Sequence, residues 1–327
     1  MNKDYYIFSH GRLKRKDNTV YFIDGGDNKR SLPIEQVDKL HLFGEIDLNS
    51  KLLNFLPRFG VMLNFYNYYG YYSGTYYPRE KNVSGFMKVK QAEYYNNHES
   101  RLFLAKTFVD SATHHILRNL RRYEEVSKEV IEGIEKERNN IETTDEISKL
   151  MGVEGRIRKW YYKSFNEILK NGFKMNKREK RPPNDPVNSL ISFGNSLMYT
   201  TVLGEIYKTQ VDPTISFLHE PSTKRFSLSL DLAEIFKPLI IDSVVFKLIN
   251  NRMIKKDHFD NEEGICFLNE KGKKKFISEY DKKLKTTIKH RKLKRKVSYQ
   301  MFIRLECYKL IKHFIEDQTY KSLKAWW

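Results

Sequence analysis

The sequence predicts an α+β protein in which a small β-rich N-terminal domain precedes a larger, mostly α-helical domain. Three observations lead to this prediction. Strand-like runs crowd the first part of the chain, no proline occurs between Pro78 and Pro182, and later apolar residues recur at helical spacing. The predicted boundaries are 1–80 for the β-rich domain, 81–95 for a linker and 96–327 for the helical domain.

The N-terminal domain is predicted from short β-type runs that are bounded by turn residues. The five runs are Tyr5–Ser9, Thr19–Asp24, Lys39–Phe43, Val61–Tyr66 and Gly70–Tyr77. Glycine pairs such as Gly25-Gly26 separate them, as expected for turns. The amphipathic stretch Leu48–Leu56 predicts a short helix that Pro57 ends.

The helical domain is predicted from apolar spacing and end signals. One helical face is formed by Leu102, Ala105, Val109, Ala112, Ile116 and Leu120. The Glu-rich residues 124–142 indicate a solvated helical hairpin or loop. A second helix begins near Thr144 or Asp145, either of which would cap it, and runs to about Leu169. A third helix follows Pro186.

The charge balance points to a polyanionic partner. The chain of 327 residues has 59 Lys+Arg against 41 Asp+Glu, a formal net charge of +18. It shows no signal-peptide pattern and no apolar run long enough for a membrane span, so nucleic acid in the cytoplasm is favoured over a membrane. Cys266 and Cys307 lack zinc-site spacing and are expected to be reduced core thiols. The segment Lys271–Lys296, with 13 Lys/Arg against two acids, is either a phosphate-binding tail or a solvated face.

Glu154 lies between two glycines in a helical pattern. Each glycine costs about 1 kcal/mol relative to alanine, and removing Cβ on both sides of the carboxylate allows a backbone or a ligand to approach it. Arg158 follows at i+4, so a simple ion pair with Glu154 is also an open interpretation.

A second constellation is a polar stripe on the helix after Pro186, made of Asn188, Ser192, Asn195 and Tyr199. On a mostly apolar helix these side chains either line a pocket or form a satisfied network in the core. A third constellation joins His219 to Asp231 and Glu234, which are i and i+3 if this stretch is helical. Together with Glu154 these residues would form an oxygen-rich site suited to Mg²⁺ or Mn²⁺. Structural roles for the same residues remain open.

Four phrases of the sequence resemble the CRISPR-associated adaptation integrases, a family of DNA integrases and endonucleases, in the branch found with type I systems. They are GYYSGTYYPRE, LMGVEGRIRKWYY, NSLISFGNSLMYTTVL and DPTISFLHEPSTKRFSLSLDLAEIFKP, in the order of the family and over essentially the whole chain. The resemblance implies an N-terminal β-domain used for dimerisation and a helical catalytic domain.

The resemblance also implies the site residues. The metal ligands would be Glu154, His219 and Glu234, and Asp231 would be a further catalytic acid close to the metal. Some relatives have Asp as the last ligand, so Glu234 is one methylene longer. Roles at the nucleic acid or in support of the site are implied for Arg158, Tyr162, Asn188, Tyr199 and Lys237.

The implied reaction is a metal-dependent transesterification in a prokaryotic cytoplasm. The 3′-hydroxyl of a short captured DNA would attack a phosphodiester of the CRISPR repeat and insert the fragment as a new spacer. The implied partners are double-stranded DNA, a second copy of the chain and a small ferredoxin-like CRISPR-associated protein. Two alternatives remain: a metal-dependent DNA nuclease of repair or defence that uses water as nucleophile, and a non-catalytic DNA-binding scaffold.

Overall fold

The computed structural model describes residues 3–79, 82–180, 182–221 and 225–327. The chain forms two compact units, residues 1–83 and residues 84–327. The strand-rich first unit and the mostly helical second unit confirm the predicted α+β class.

The N-terminal unit contains two four-stranded sheets, with strand orders β1-β5-β7-β8 and β4-β3-β2-β6. Its elements are β1 (Lys3–Ile7), β2 (Gly11–Lys16), β3 (Thr19–Asp24), β4 (Lys29–Leu32), β5 (Val37–Leu42), β6 (Ile46–Asp47), α1 (Ser50–Leu53), β7 (Met62–Tyr66) and β8 (Tyr72–Tyr76). In the first sheet β5 pairs in parallel with both β1 and β7, and β8 is antiparallel to β7. Both sheets contribute to one core, in which Leu13, Val20, Leu40 and Leu63 are fully buried.

The second unit consists mainly of helices. They are α2 (Gly85–Asn96), α3 (His98–Leu120), α4 (Lys128–Thr143), α5 (Ile147–Lys163), α6 (Phe165–Ile168), α7 (Pro186–Tyr207), α8 (Ser227–Lys237), α9 (Ser243–Asn250), α10 (Glu270–Lys285) and α11 (Tyr299–Phe314). Two short hairpins complete it: β9 (Phe259–Glu262) with β10 (Ile265–Leu268), and β11 (Thr287–Lys289) with β12 (Lys296–Ser298). A π-helical turn, Pro238–Asp242, continues α8 without a break.

Helix α7 is buried on nearly every side and lies at the centre of the second unit. It begins at Pro186, as predicted, and the Asp185 side chain caps it by accepting from the Asn188 amide at 2.8 Å. At Gly194 a Cβ would come within 2.6 Å of Ile241 Cγ2, so only glycine allows the π-helical turn to pack this closely. This π-helical turn also fixes the C-terminal end of α8.

The buried His115 of α3 ties α8 to the C-terminal residues. Its Nδ1 donates to the Ile235 carbonyl at 2.8 Å, and its Nε2 accepts from the Ala325 amide at 3.0 Å. Burial lowers the pKa of His115 to about 3, which keeps the ring neutral with one donor and one acceptor nitrogen.

Several sequence predictions are corrected by the structure. Residues 85–96 form α2 where a linker was expected, and residues 80 and 81 of that boundary lie outside the described residues. The Glu-rich stretch is one amphipathic helix, α4, with its apolar residues buried. Helix α5 begins at Ile147 with Glu146 as the capping residue, and it ends at Lys163.

Two further predictions concern the cysteines and a membrane span. Cys266 and Cys307 are free and buried, as expected. Among the helices that the structure describes, none combines the length and the apolar character needed to cross a membrane.

Candidate active site

Three segments of the second unit line a cleft of about 1030 Å³. Helix α5 contributes Glu154 and Arg158, the segment before Glu220 contributes His219, and α8 contributes Glu234 and Lys237. The three predicted metal ligands, which are far apart in sequence, therefore lie on the walls of one cleft. Tyr162 and Asn195 line it as well.

His219 is held by Asp231 through both its backbone and its ring. Asp231 Oδ1 accepts from the His219 amide at 3.0 Å and from His219 Nδ1 at 2.7 Å. The other oxygen, Oδ2, accepts from the amides of Phe217 at 2.7 Å and Leu218 at 3.0 Å. Because Nδ1 is bound to Asp231, Nε2 is the nitrogen that remains for a ligand in the cleft. Burial would lower the pKa of His219, but the hydrogen bond and charge of Asp231 outweigh it and raise the pKa.

Asp231 itself is fully buried and does not line the cleft. The expected pair of acids on one helical face is therefore divided: Glu234 lies in the cleft, whereas Asp231 lies behind His219. Helix α8 begins at Ser227, so Asp231 is in its second turn and does not act at the helix start. Asp231 therefore positions the ring and backbone of His219, and its expected role as a catalytic acid stays a prediction.

Glu234 is enclosed by two cations. Its side chain pairs with Arg158 from α5 and with Lys237 one turn further along α8. Burial raises the pKa of Glu234, but the charges of Lys237 and Arg158 outweigh burial and lower it to about 2. Glu234 is therefore ionised at every pH at which the protein is expected to work.

Glu154 is the more accessible of the two glutamates, and Arg158 Nε donates to its Oε1 at 3.0 Å. The simple ion pair that the sequence left open is thus formed, and Arg158 also bridges to Glu234. A Cβ at Gly155 would meet no atom within 4 Å, and one at Gly152 would meet only Arg156 Nη1 at 3.5 Å. No described backbone packs into the space that a Cβ at Gly152 or Gly155 would occupy. The space beside Glu154 is therefore open to a ligand.

The residues present fit a divalent cation in kind. Two carboxylates and an imidazole line the same cleft, and a histidine whose second nitrogen is bound by a carboxylate is a common metal ligand. Over the described ranges, however, no three His, Cys, Asp or Glu side chains converge closely enough to hold a metal as they stand. Arg158 and Lys237 supply positive charge to Glu234 instead, so a cation would have to replace part of that pairing.

The cleft is strongly basic apart from its two glutamates. It is lined by Arg156, Arg158, Lys159, Lys163, Lys177, Arg178, Lys180 and Lys237. No sequence pattern identified Arg178 and Lys180, which lie in the irregular segment before α7. Burial, with the nearby charges of Lys237 and Arg178, lowers the pKa of Lys180. Such a wall is suited to the phosphates of a polyanion.

In the polar stripe of α7, Asn195 lines the cleft, whereas Asn188, Ser192 and Tyr199 lie outside it. Asn188 Oδ1 accepts from Arg178 Nη1 at 2.8 Å, and Ser192 Oγ accepts from Arg178 Nη2 at 2.9 Å. Asn188 lies outside the cleft and holds the segment that carries Arg178 and Lys180 into it.

Tyr199 also lies outside the cleft, and its hydroxyl accepts from the Phe226 amide at 2.9 Å, next to the start of α8. Tyr162, by contrast, lines the cleft, and burial raises the pKa of its hydroxyl.

Known structures share this combination of a strand-rich N-terminal unit and a mostly helical second unit. A Cas1 protein from Thermotoga maritima superimposes with a TM-score of 0.91 at 39% identity, over 98% of this chain and 100% of that one. A casposase bound to an integration product shares the fold, with a TM-score of 0.89 at 20% identity, over 98% of this chain and 93% of that one.

Comparison of sequences finds relatives of higher identity. The family model described as CRISPR associated protein Cas1 matches residues 5–282. The CRISPR-associated endonuclease Cas1 of Clostridium perfringens is 64% identical over 330 residues, covering 100% of both chains. The chain belongs to the Cas1 family, which confirms the resemblance stated from the sequence motifs.

Proposed function

We propose that this protein is a metal-dependent DNA integrase and endonuclease that inserts short DNA fragments as new spacers into a CRISPR array. Membership of the Cas1 family supports the class of activity, since the similar protein of Clostridium perfringens is named an endonuclease and the casposase of like fold is bound to an integration product. The observation that carries the proposal is that Glu154, His219 and Glu234 all line one basic cleft.

The reaction is a transesterification. The 3′-hydroxyl oxygen of the incoming fragment forms a bond to a phosphorus of the repeat, the phosphodiester bond to the displaced 3′-oxygen breaks, and the proton of the attacking hydroxyl ends on that leaving oxygen. Atoms and charges balance without ATP or an oxidant. The chemistry needs a phosphodiester held in line with the hydroxyl and stabilisation of the charge that develops on the phosphate.

Glu154, His219 and Glu234 would hold the Mg²⁺ or Mn²⁺, and when bound this ion supplies a Lewis acid for the phosphodiester. Asp231 fixes the ring of His219 by binding Nδ1, which leaves Nε2 for a ligand. Lys180 and Lys237 lie on the walls of the same cleft, where they attract the DNA backbone and favour the extra negative charge of the transition state.

The proposed partners are double-stranded DNA, both as captured fragments and as the CRISPR repeat, a second copy of this chain through the N-terminal unit, and a small ferredoxin-like CRISPR-associated protein. The net charge of +18 suits a long DNA-binding surface across such an assembly. The protein is proposed to act in the prokaryotic cytoplasm, where the array and the captured DNA are found.

The test is strand transfer of a short labelled duplex into supercoiled plasmid that carries a repeat, with Mg²⁺ or Mn²⁺ and the small partner present. We expect joined product from the intact chain and none from His219→Ala. Asp257→Asn is the control, since this residue lies in the second unit outside the cleft with its side chain 77% exposed, and it should join DNA as the intact chain does.

The other possible outcomes distinguish the two alternative functions, a nuclease and a non-catalytic scaffold. Metal-dependent cleavage without joining, lost in His219→Ala, would replace the integrase by a nuclease that uses water. Folded protein that binds DNA but neither joins nor cleaves it would favour the scaffold. In that case alanine at Glu154, His219 or Glu234 would alter stability alone.

A further inference from the structure

The last turn of α8 carries the two charged residues that this helix contributes to the cleft, Glu234 and Lys237. The turn runs directly into Pro238, which has no amide hydrogen and cannot donate the α-helical bond to the carbonyl of Glu234. The π-helical turn Pro238–Asp242 follows, and its wider coil shifts the backbone bonds from four residues on to five. The end of α8 therefore lacks a regular helical bond at the residue that enters the cleft, and contacts from neighbouring elements help to place it.

Helix α3 supplies two of these contacts from one face. His115 Nδ1 donates to the carbonyl of Ile235 at 2.8 Å. The Asn119 side chain, one turn further along α3, donates to the carbonyl of Pro238. Both side chains are buried, and buried carbonyls are strongly favoured to keep a hydrogen bond. These two bonds therefore fix where the end of α8 lies against α3.

The other ring nitrogen of His115 is bound by the C-terminal segment, residues 320–327. Nε2 accepts from the Ala325 amide at 3.0 Å, and an imidazole that donates at one nitrogen and accepts at the other is neutral. Burial lowers the pKa of His115 to about 3, so the ring keeps this form at neutral pH. The two bonds together fix the orientation of the ring.

The C-terminal segment is itself anchored, on α11. Glu306 of this helix accepts from the Tyr320 hydroxyl at 2.6 Å and from the Leu323 amide at 3.3 Å. Tyr320, Leu323 and Ala325 are all buried. His115 thus joins a fixed segment to the end of α8 that lines the cleft, although neither His115 nor Ala325 lines the cleft itself.

The bond to Ile235 bears directly on the cleft because Ile235 follows Glu234 in the chain. An apolar side chain at position 115 could fill the same space, but it would leave a buried carbonyl and a buried amide unpaired. The last turn of α8 could then shift and carry Glu234 with it. Residues that orient a metal ligand typically change the metal affinity by about 10–100-fold when they are replaced.

We propose that His115 is a positioning residue for Glu234, which transmits the fixed position of the C-terminal segment to the last turn of α8. This role rests on the proposed function, in which Glu234 is a metal ligand. His115 acts on Glu234 through the carbonyl of Ile235 and is not itself a group that touches DNA or metal.

Two substitutions of His115 separate its two bonds. The side-chain amide of asparagine reaches the place of Nδ1, so His115→Asn keeps a donor for Ile235 and loses the contact with Ala325. The longer glutamine brings its oxygen to the place of Nε2, so His115→Gln keeps an acceptor for Ala325 and loses the donor to Ile235. His114→Gln is the matched control, because His114 Nε2 donates to the carbonyl of Ala325 at 3.2 Å and, among the described residues, binds nothing on α8.

The first readout is the melting temperature of the full chain over a series of Mn²⁺ concentrations. With a chelator present, both His115 variants should melt at similar temperatures below that of the intact chain, since each leaves one buried group unpaired. His115→Gln should then need about 10 times more Mn²⁺ than the intact chain for the same rise in melting temperature. His115→Asn and His114→Gln should keep the Mn²⁺ dependence of the intact chain.

The second readout is strand transfer at saturating DNA. At limiting Mn²⁺ His115→Gln should join DNA about 10 times more slowly than the intact chain, and its rate should recover as Mn²⁺ is raised. Its affinity for a short duplex, measured by fluorescence anisotropy, should not change. A merely structural role would instead lower the activity of both His115 variants alike at every Mn²⁺ concentration.

Equal Mn²⁺ dependence of the melting temperature in His115→Asn and His115→Gln would overturn the proposal, because the bond to Ile235 would then not place Glu234. If His115→Gln does not fold, Asn119→Ala replaces it, since this variant removes the neighbouring bond to Pro238 and should show the same shift in Mn²⁺ dependence. An unshifted response of Asn119→Ala would likewise contradict the proposal. The Mn²⁺ readout needs no DNA, so expected shifts without joined product from any protein would refute the integrase function and still support the positioning role.

Discussion

Asp231 binds His219 twice, accepting from its amide at 3.0 Å and from its ring Nδ1 at 2.7 Å. The same carboxylate also accepts from two further amides of the preceding loop, so one buried side chain fixes the backbone and the ring together. The loop that presents His219 to the cleft is therefore built on Asp231.

This relationship predicts that Asp231→Ala destabilises the protein more than His219→Ala does. Removing the carboxylate leaves buried amides unpaired, which should lower the free energy of unfolding by about 3 kcal/mol or more. His219 is partly exposed and makes one side-chain bond, so its loss should cost only about 1 kcal/mol. Urea unfolding of both variants checks this, and equal costs would show that Asp231 does not organise the loop.

Gly155→Ala should separate stability from activity. A Cβ at Gly155 meets nothing within 4 Å, so the substitution should raise the free energy of unfolding by about 0.5–1 kcal/mol through helix propensity. Gly155 lines the cleft beside Glu154, so the added methyl group should reduce strand transfer if DNA approaches there.

Gly152→Ala is the control for that experiment, since Gly152 lies in the same helix but not in the cleft. It should show a similar gain in unfolding free energy with full strand transfer. A Gly155→Ala protein that is more stable and fully active would mean that the glycine serves no ligand.

The structure within one helix or strand could be predicted from the sequence better than the contacts between elements. The apolar spacing predicted the buried face of α3 correctly. The motifs named Glu154, His219 and Glu234 as ligands, and the structure brings all three to one cleft. Their role as ligands remains a prediction. Periodicity reports which face of a helix is apolar, but it carries no information about the neighbour that the face contacts.

Three features could not be predicted from the sequence: the strand β2, the place of Arg178 at the cleft, and the sharing of Arg158 between two glutamates. Leu13 is the only buried residue of strand β2 (Gly11–Lys16), and most of its neighbours are basic. The sequence of this strand therefore shows no apolar alternation. Arg178 lies in an irregular segment that only its bonds to Asn188 and Ser192 hold at the cleft. The sharing of Arg158 between Glu154 and Glu234 depends on how α5 packs against α8, which neither helix encodes alone.

Asp242 gives a prediction for the pH dependence of stability. It is buried in the π-helical turn, and it accepts from the Tyr161 hydroxyl at 3.0 Å. Burial raises its pKa from 3.8 to about 6. Between these values the folded protein binds more protons than the unfolded chain, so this group lowers the free energy of unfolding as the pH rises, and its cost is complete above about pH 6.

Asp242→Asn should therefore raise the free energy of unfolding at neutral pH, by on the order of 1–3 kcal/mol, because the amide can still accept from Tyr161 without carrying charge. The gain should shrink as the pH falls toward the ordinary pKa of the carboxyl. Urea unfolding across this range measures it, with Asp257→Asn as control because its side chain is 77% exposed. A gain that does not vary with pH would contradict the assignment.

Arg158 should compete with a metal ion for the two glutamates of the cleft. It pairs with Glu154 and Glu234 together, and Arg158→Gln leaves Lys237 as the cation paired with Glu234 among the described residues. With a chelator present, the substitution should lower the free energy of unfolding by about 3 kcal/mol, since it breaks a buried pairing. Added Mn²⁺ should then stabilise the variant more than it stabilises the intact chain, because no guanidinium has to be displaced.

The comparison requires unfolding curves with chelator and with a series of Mn²⁺ concentrations. Arg156→Gln is the matched control, since Arg156 lies on the same helix and lines the cleft but pairs with Glu137 at 2.9 Å. It should respond to Mn²⁺ as the intact chain does. If Mn²⁺ raised the free energy of unfolding of Arg158→Gln no more than that of this control, the glutamates would not be the metal ligands. Their role would then be structural, through the ion pairs with Arg158.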